Sequence, residues 1–182
     1  MNLDSETGIS IMKIVEKLDS GPVCNSYKLS INHSDNAEII SEKLSLLAAE
    51  KILENIDDIL DDKIEFKEQL HDNATYANKI TKSEGKIDWG NLAKDIIGKI
   101  NGLYPNPGAW FIYKGERYKI LKAECSNKNG QIGLVLSDNL EVGCKDMSIK
   151  VLEIQRQGKL PQKIKDFMLG SQIKKGSSLA NE

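Results

Sequence analysis

The chain has 182 residues, 40% of them hydrophobic and 29% charged, with a formal net charge of −2. That supplies one substantial core or two small ones, and no run approaches the apolar length needed to cross a bilayer. Cys24, Cys125 and Cys144 are odd in number and widely spaced, and the N-terminus lacks an apolar signal core. This pattern points to a reducing cytoplasm, to cysteines acting as small buried hydrophobes, and to no metal site.

The near-neutral total conceals an asymmetry. Residues 1–84 hold 9 lysines against 17 acids, a net of −8, while residues 85–182 hold 16 lysines and arginines against 10 acids, a net of +6. A polyanionic partner would be held by the second half, although a solvated lysine-rich surface gives the same count.

In chain order, Glu6-Thr7-Gly8 reads as a turn feeding a strand. Ile9 and Ile11 fall on one side of that strand and Met12 and Ile14 on the other, so both faces are expected to be partly buried, as inside an α/β sheet. Leu18-Asp19-Ser20-Gly21-Pro22 is a loop, and Val23 to Ile31 a second strand. A long helix opens near Asp35, with Glu38 in a box-like cap, and runs to about Asp61. Its acidic end is expected to be frayed and solvated, since carboxylates oppose the helix dipole there. Two strands and one helix are too few layers for an independent α/β domain. His33 and His71 are expected at the surface.

Thr75 to Trp89 is polar and lysine-bearing with Gly85 as a breaker, and reads as an extended connector. A helix follows, capped by Asn91, with Leu92, Ile96, Ile100 and Leu103 on one face. Gly102 and the Pro105-Asn106-Pro107-Gly108 run end it. Ala109–Tyr113 and Arg117–Ala123 then flank Lys114-Gly115-Glu116 as a hairpin, and Gln131–Leu136, Leu140–Gly143 and Ser148–Ile154 supply three more strands. Five short strands at close intervals predict a small barrel. A last helix places Pro161 in its first turn, Ile164, Phe167 and Met168 inward, and Gly170 at its stop. The tail from Lys174 to Ser178 is expected to be disordered.

Long basic side chains that a barrel could align along a groove are candidates for phosphate contact. These are Arg117, Lys119 and Lys122 on the hairpin, Arg156 and Lys159 in the late turn, and Lys79 and Lys82 in the connector. For each one a solvated surface lysine or arginine is the competing reading. Trp110 and Tyr113 could stack on bases, but Trp110 beside the Pro-Gly turn reads as core.

The order Thr-Tyr-Ala-x-Lys-x-x-Lys-x-Glu-Gly-Lys-Ile-Asp-Trp, a helix, then Tyr-Pro-Asn-Pro-Gly-Ala-Trp-Phe resembles the interdomain segment of the bacterial methionyl-tRNA formyltransferase family. Thr75, Tyr76, Lys79, Lys82, Ile87, Asp88, Trp89, Pro105, Pro107, Gly108 and Trp110 carry the match. The resemblance implies a two-part α+β chain. Residues 1–73 would be the truncated end of a doubly wound α/β formyltransferase domain and 74–90 an interdomain linker. Residues 91–182 would be an OB-fold-like β-barrel that contacts transfer RNA. A truncated or split gene product, or an internal start at Met1, would then account for the missing sheet-and-helix units.

The resemblance also implies roles. Leu18-Asp19-Ser20-Gly21 matches the family's Leu-Asp-Thr-Gly loop, whose aspartate joins an asparagine and a histidine in a catalytic trio and whose backbone borders the folate. From the residues alone Asp19 reads first as a turn aspartate bonding its own backbone, with a proton-handling carboxylate held between strands as the alternative, and it is the resemblance that implies the catalytic role. The trio's Asn-x-His and the family's Ser-Leu-Leu-Pro segment occur nowhere in the sequence. Formyl transfer also needs oxyanion donors and a positioned amine, so the chain alone is expected to be inactive and not to hold the donor 10-formyltetrahydrofolate. The implied partners are initiator methionyl-tRNA and an N-terminal half in trans. Self-association through the incomplete sheet is a further expectation. The alternatives are a non-catalytic RNA-binding module and a sugar-nucleotide formyltransferase, which shares the catalytic fold but not the linker and barrel landmarks.

Overall fold

In a computed structural model, which describes residues 1–70, 72 and 74–180, the chain divides into two compact units, Asp4–Lys79 and Met1–Leu3 with Ile80–Glu182. His71 lies outside the described residues; His33 is exposed. Among the described residues no helix is long and apolar enough to cross a membrane.

The unit Asp4–Lys79 is a β-hairpin covered by one helix. Strand β1 (Glu6–Met12) pairs antiparallel with β2 (Val23–Ser30), with Thr7 opposite Leu29, Ile9 opposite Tyr27 and Ile11 opposite Asn25. Burial alternates strictly along β1, so a single face is covered. The expectation of two apolar faces fails because the Ile11/Met12 irregularity ends the alternation and Ile14 falls in the loop, 97% exposed. Glu6-Thr7-Gly8 is strand rather than turn, and Gly8 lets Tyr27 approach: a Cβ there would lie 2.3 Å from the Tyr27 carbonyl oxygen.

Helix α1 (Ala37–Leu60) covers the hairpin. Its cap is Asn36, whose side chain accepts from the Ile39 N–H at 2.9 Å, rather than the expected Asp35. Asp35 is buried and instead accepts from the Asn32 N–H and from Lys43. These hydrogen bonds, the Lys43 one foremost, hold its carboxyl below the ordinary carboxylate range. Helix and hairpin meet through a polar knot. Buried Asn55 accepts from Asn25 Nδ2 (2.7 Å) and donates to the Tyr27 hydroxyl (2.8 Å) and the Lys51 carbonyl (2.7 Å).

The second unit holds the larger core. Helix α2 (Ala93–Leu103) buries Ala93, Ile96, Ile100 and Leu103, as its spacing predicts. Asn91 does not cap it. The Ala93 N–H is satisfied by Asp146 Oδ1 at 2.9 Å, 53 residues away in sequence. Met1 and Leu3 lie against this helix at Gly98 and Gly102, where an added Cβ would sit 2.6 Å from Leu3 Cδ2 and from Met1 Cγ. Beyond a turn in which Tyr104-Pro105 and Asn106-Pro107 are cis come strands β3 (Ala109–Tyr113), β4 (Glu116–Ser126), β5 (Val135–Ser137), β6 (Glu141–Gly143), β7 (Ser148–Arg156) and β8 (Gln162–Lys163). Helix α3 (Ile164–Gly170) follows, and Pro161 precedes β8 rather than opening the helix.

The strands of this sheet pair antiparallel, in the order β3-β4-β7-β6-β5 with β8 on β7, and a single parallel bridge, Lys86 to Trp110, joins its β3 edge. The expected barrel does not close: β5 and β3 are not paired, and each edge is taken by irregular chain instead. On the β3 edge the Ile87 N–H donates to the Trp110 carbonyl at 2.7 Å. On the β5 edge Val135 N–H donates to Ser177 and Leu179 N–H to Gly133. Strands of three residues, as β5 and β6 are, cannot carry the ladder around a full circle. Covering both edges in this way leaves no long unpaired strand on the sheet.

Two expectations change accordingly. The final connector residues Ile87 and Trp89 are buried, and so are Ile173 and Leu179 on either side of the tail expected to be disordered. Inside the sheet an aromatic file runs from Trp89 through Phe111 and Tyr118 to Phe167, with ring centroids 5.9, 5.5 and 5.9 Å apart. Edge-to-face and offset contacts of this kind add about 0.5–1.5 kcal/mol each beyond area burial. Cys144 is buried, which pushes its thiol up to about 11, whereas Cys125 is exposed, contrary to expectation.

Candidate nucleic-acid interface

The β3–β4 hairpin sets the geometry. Lys114 and Gly115 both have positive φ (51° and 74°), the backbone that a two-residue hairpin turn demands. The resulting register places Trp110 opposite Lys119 and Ile112 opposite Arg117. Alternation then sends Phe111, Tyr113, Tyr118 and Ile120 into the core and leaves Trp110, Ile112, Arg117 and Lys119, all half-buried, on the other face.

Trp110 organises that face rather than joining the core. Its indole Nε1 donates to the Lys82 carbonyl at 2.9 Å, and the Arg117 guanidinium lies 5.7 Å from its ring centroid. Gly85 allows this approach, since a Cβ there would fall 2.9 Å from Trp110 Cδ1. Lys119 reaches Asn106 Oδ1 at 3.4 Å. Burial, then the Arg117 and Lys82 charges, lower the Lys119 pKa. Among the described residues neither Lys82, Arg117 nor Lys119 has a carboxylate partner. Glu84, two residues from Lys82, is occupied by the Thr81 N–H and hydroxyl. Lys119 thus feels the charges of Arg117 and Lys82 beside an aromatic face, an arrangement whose chemistry suits an anion such as a phosphate.

The other basic candidates stand apart. Arg156 is opposite Tyr118 in the β4–β7 register, on the core-facing side, and pairs with Glu116. The Arg156 hydrogen bond, followed by one from the Tyr118 hydroxyl (2.8 Å), holds the Glu116 carboxyl below its ordinary range. Burial and then Glu116 push Tyr118 up to about 12. Arg156 and Lys159 border a separate cleft of about 600 Å³ with Tyr113, Tyr118, Asp166 and Phe167. Lys122 is exposed where β4 slips its register against β7. Lys79 belongs to the unit Asp4–Lys79 and is exposed.

In that unit the loop joining β1 and β2 is pinned by its backbone. Lys13 N–H donates to Pro22, Ser20 Oγ to Lys17, and Gln69 Nε2 to the Asp19 and Gly21 carbonyls at 3.1 and 2.7 Å. Gly21 is obligatory, because a Cβ would lie 1.8 Å from the Lys13 carbonyl oxygen. Asp19 has φ 53° and an exposed carboxylate with no side-chain partner among the described residues, and Leu18 is 85% exposed. The loop is therefore an open surface: on its own it does not fit a folate, which needs walls and convergent donors. No cluster of three potential metal ligands occurs among the described residues.

A family model for the formyl transferase C-terminal domain matches residues 79–172, which contain the whole basic cluster. The chain is 64% identical over all its 182 residues to a methionyl-tRNA formyltransferase of Pelagibacter ubique, and 39% identical over 178 residues to one of Thermodesulfovibrio yellowstonii. It spans 59% and 58% of their lengths, and they match 100% and 97% of it. Among solved structures, HypX of Aquifex aeolicus in complex with tetrahydrofolic acid matches 94% of this chain with 32% of its own, at a TM-score of 0.71 and 16% identity, a likeness of fold. The residues that build the cation cluster thus lie within the matched domain, and the chain belongs to the formyl transferase C-terminal domain family.

Proposed function

We propose that the chain is the RNA-handling portion of a methionyl-tRNA formyltransferase, and that Lys82, Arg117 and Lys119 grip the phosphate backbone of initiator transfer RNA. The observation that supports this reading is the setting of Trp110, with Arg117 against its ring, Lys119 opposite it and the Lys82 backbone bonded to it, while Lys119 feels the Arg117 and Lys82 charges and none of the three has a carboxylate partner among the described residues. The relative of 64% identity supplies the substrate class. Exposed Lys79 adds a further phosphate contact, with Lys122, Arg156 and Lys159 as peripheral ones.

The whole reaction moves a formyl group from 10-formyltetrahydrofolate to the amino group of methionine on the transfer RNA, in the cytoplasm. In it Asp19, held between strands, takes or returns the amine proton. Leu18, Ser20 and Gly21 border the folate. Both roles also require an asparagine, a histidine and oxyanion donors that these 182 residues do not supply as an Asn-x-His motif. The isolated chain binds RNA and does not transfer formyl groups. Its exposed and solitary Asp19 equally favours a second reading, an RNA-binding module without catalysis.

Binding of initiator transfer RNA by the wild type, by a K82A/R117A/K119A variant and by a K145A/K163A/K165A control that also loses three positive charges tests the proposal. Selective loss in K82A/R117A/K119A supports it; equal loss in both variants refutes a localised site.

A further inference from the structure

We propose that Lys119 is a modification site whose side-chain amine takes an acyl group from a small anionic donor, an acyl phosphate. Such a site stands on the geometry of the basic face, whether or not RNA is its occupant.

The Lys119 stem lies across Gly108, where an added Cβ would sit 2.9 Å from Lys119 Cδ and 3.2 Å from Cε, so the bare backbone at Gly108 lets the stem pass. The amine at its end emerges beside exposed Asn106, whose Oδ1 it meets at 3.4 Å. A neutral amide accepts from the ammonium and from the free amine alike, whereas a carboxylate favours the ammonium. Lys28, Lys43, Lys51, Lys63, Lys128 and Lys150 each pair with a carboxylate; Lys119 has none among the described residues. Across the strands it faces Trp110 on β3 and Gln155 on β7, both uncharged, and Glu153 lies opposite Lys122 instead. Burial, then the Arg117 and Lys82 charges, lower the Lys119 pKa, which enlarges the fraction present as nucleophilic free amine. The same two cations attract an anionic donor. In the step the amine nitrogen bonds to the acyl carbon, the bond from that carbon to the phosphate oxygen breaks, and the amine proton leaves with the phosphate. The amide formed is uncharged, so each acyl group removes one positive charge from the face.

The test treats the wild type, R117A and R117K with acetyl phosphate or with the uncharged N-hydroxysuccinimide ester of acetic acid, and follows acetylation of each lysine by peptide mass spectrometry. Exposed Lys145, Lys163 and Lys165 are the internal references. With acetyl phosphate Lys119 should react at least about fivefold faster than these, since a local excess of cations raises the concentration of an anion by about tenfold or more. The advantage should shrink with the neutral ester and in R117A, and return in R117K, which restores the charge. A Lys119 rate no greater than that of the references, an advantage equal with both donors, or one unchanged in R117A would overturn the proposal.

Discussion

Trp110 and Lys82, 28 residues apart, are joined by a single hydrogen bond from indole to carbonyl, and through it the connector is fastened to the outer face of the β3–β4 hairpin. The bond holds the Lys82 backbone against this face, where the Lys82 charge is near enough to be felt by Lys119, so a side chain expected to serve the core instead ties the connector to the basic face.

Replacing Trp110 with phenylalanine keeps an aromatic face but removes the donor. The second unit should lose about 0.5–1.5 kcal/mol, the net worth of one hydrogen bond, as read by urea unfolding. RNA affinity should fall as well, because Lys82 is no longer held in place; unchanged affinity would show that the bond does not organise the cluster.

In the first unit Asn55 is the polar centre between helix and hairpin. Asn55→Ala leaves Asn25 and Tyr27 without their partner and should cost about 1–3 kcal/mol. Hydrogen exchange of β2 amides should accelerate accordingly. Protection equal to wild type would mean that water replaces the side chain without penalty.

Gly21→Ala drives a methyl group into the Lys13 carbonyl, a backbone atom that cannot swing aside. The β1–β2 loop should open at a cost of about 1–3 kcal/mol. Broadened amide signals from Lys13 to Pro22, with those of the second unit unaltered, are the expected signature.

The Glu116 carboxyl is held below its ordinary range by Arg156 and then by the Tyr118 hydroxyl. A carboxylate with a depressed folded pKa stabilises above its unfolded pKa, and that contribution disappears as pH falls through the lower folded value. The second unit should therefore lose thermal stability on acidification below the ordinary carboxylate range. E116Q should flatten that part of the profile, and an unchanged profile in E116Q would assign the acid sensitivity elsewhere.

Local patterns carried much of the fold. The spacing of Ile96, Ile100 and Leu103 marks the buried face of α2, and Lys114-Gly115 marks the hairpin turn. The misses are non-local or turn on a single residue. Asp146 caps α2 from 53 residues away, which no local window reveals. Asn36 rather than Asp35 caps α1, and Asp35 is instead engaged by Lys43, eight residues on, and by the Asn32 N–H. The tail looked disordered because its polar run hides two anchors, Ile173 and Leu179, both fully packed. In the site, period-two alternation put Arg117 and Lys119 on one face and would also have placed Arg156 opposite Tyr118 had the β4–β7 register been known. That register is a tertiary fact.

The most direct test of RNA handling is a salt series for binding of initiator transfer RNA to the wild type and to K82A/R117A/K119A. Each phosphate contact contributes roughly 0.7–0.9 to the slope of log affinity against log salt. The slope should therefore shrink by about 2–3 in the triple variant. Equal slopes for the two proteins, or no binding at low salt by a chain shown to be folded, would contradict a phosphate-gripping cluster at Trp110.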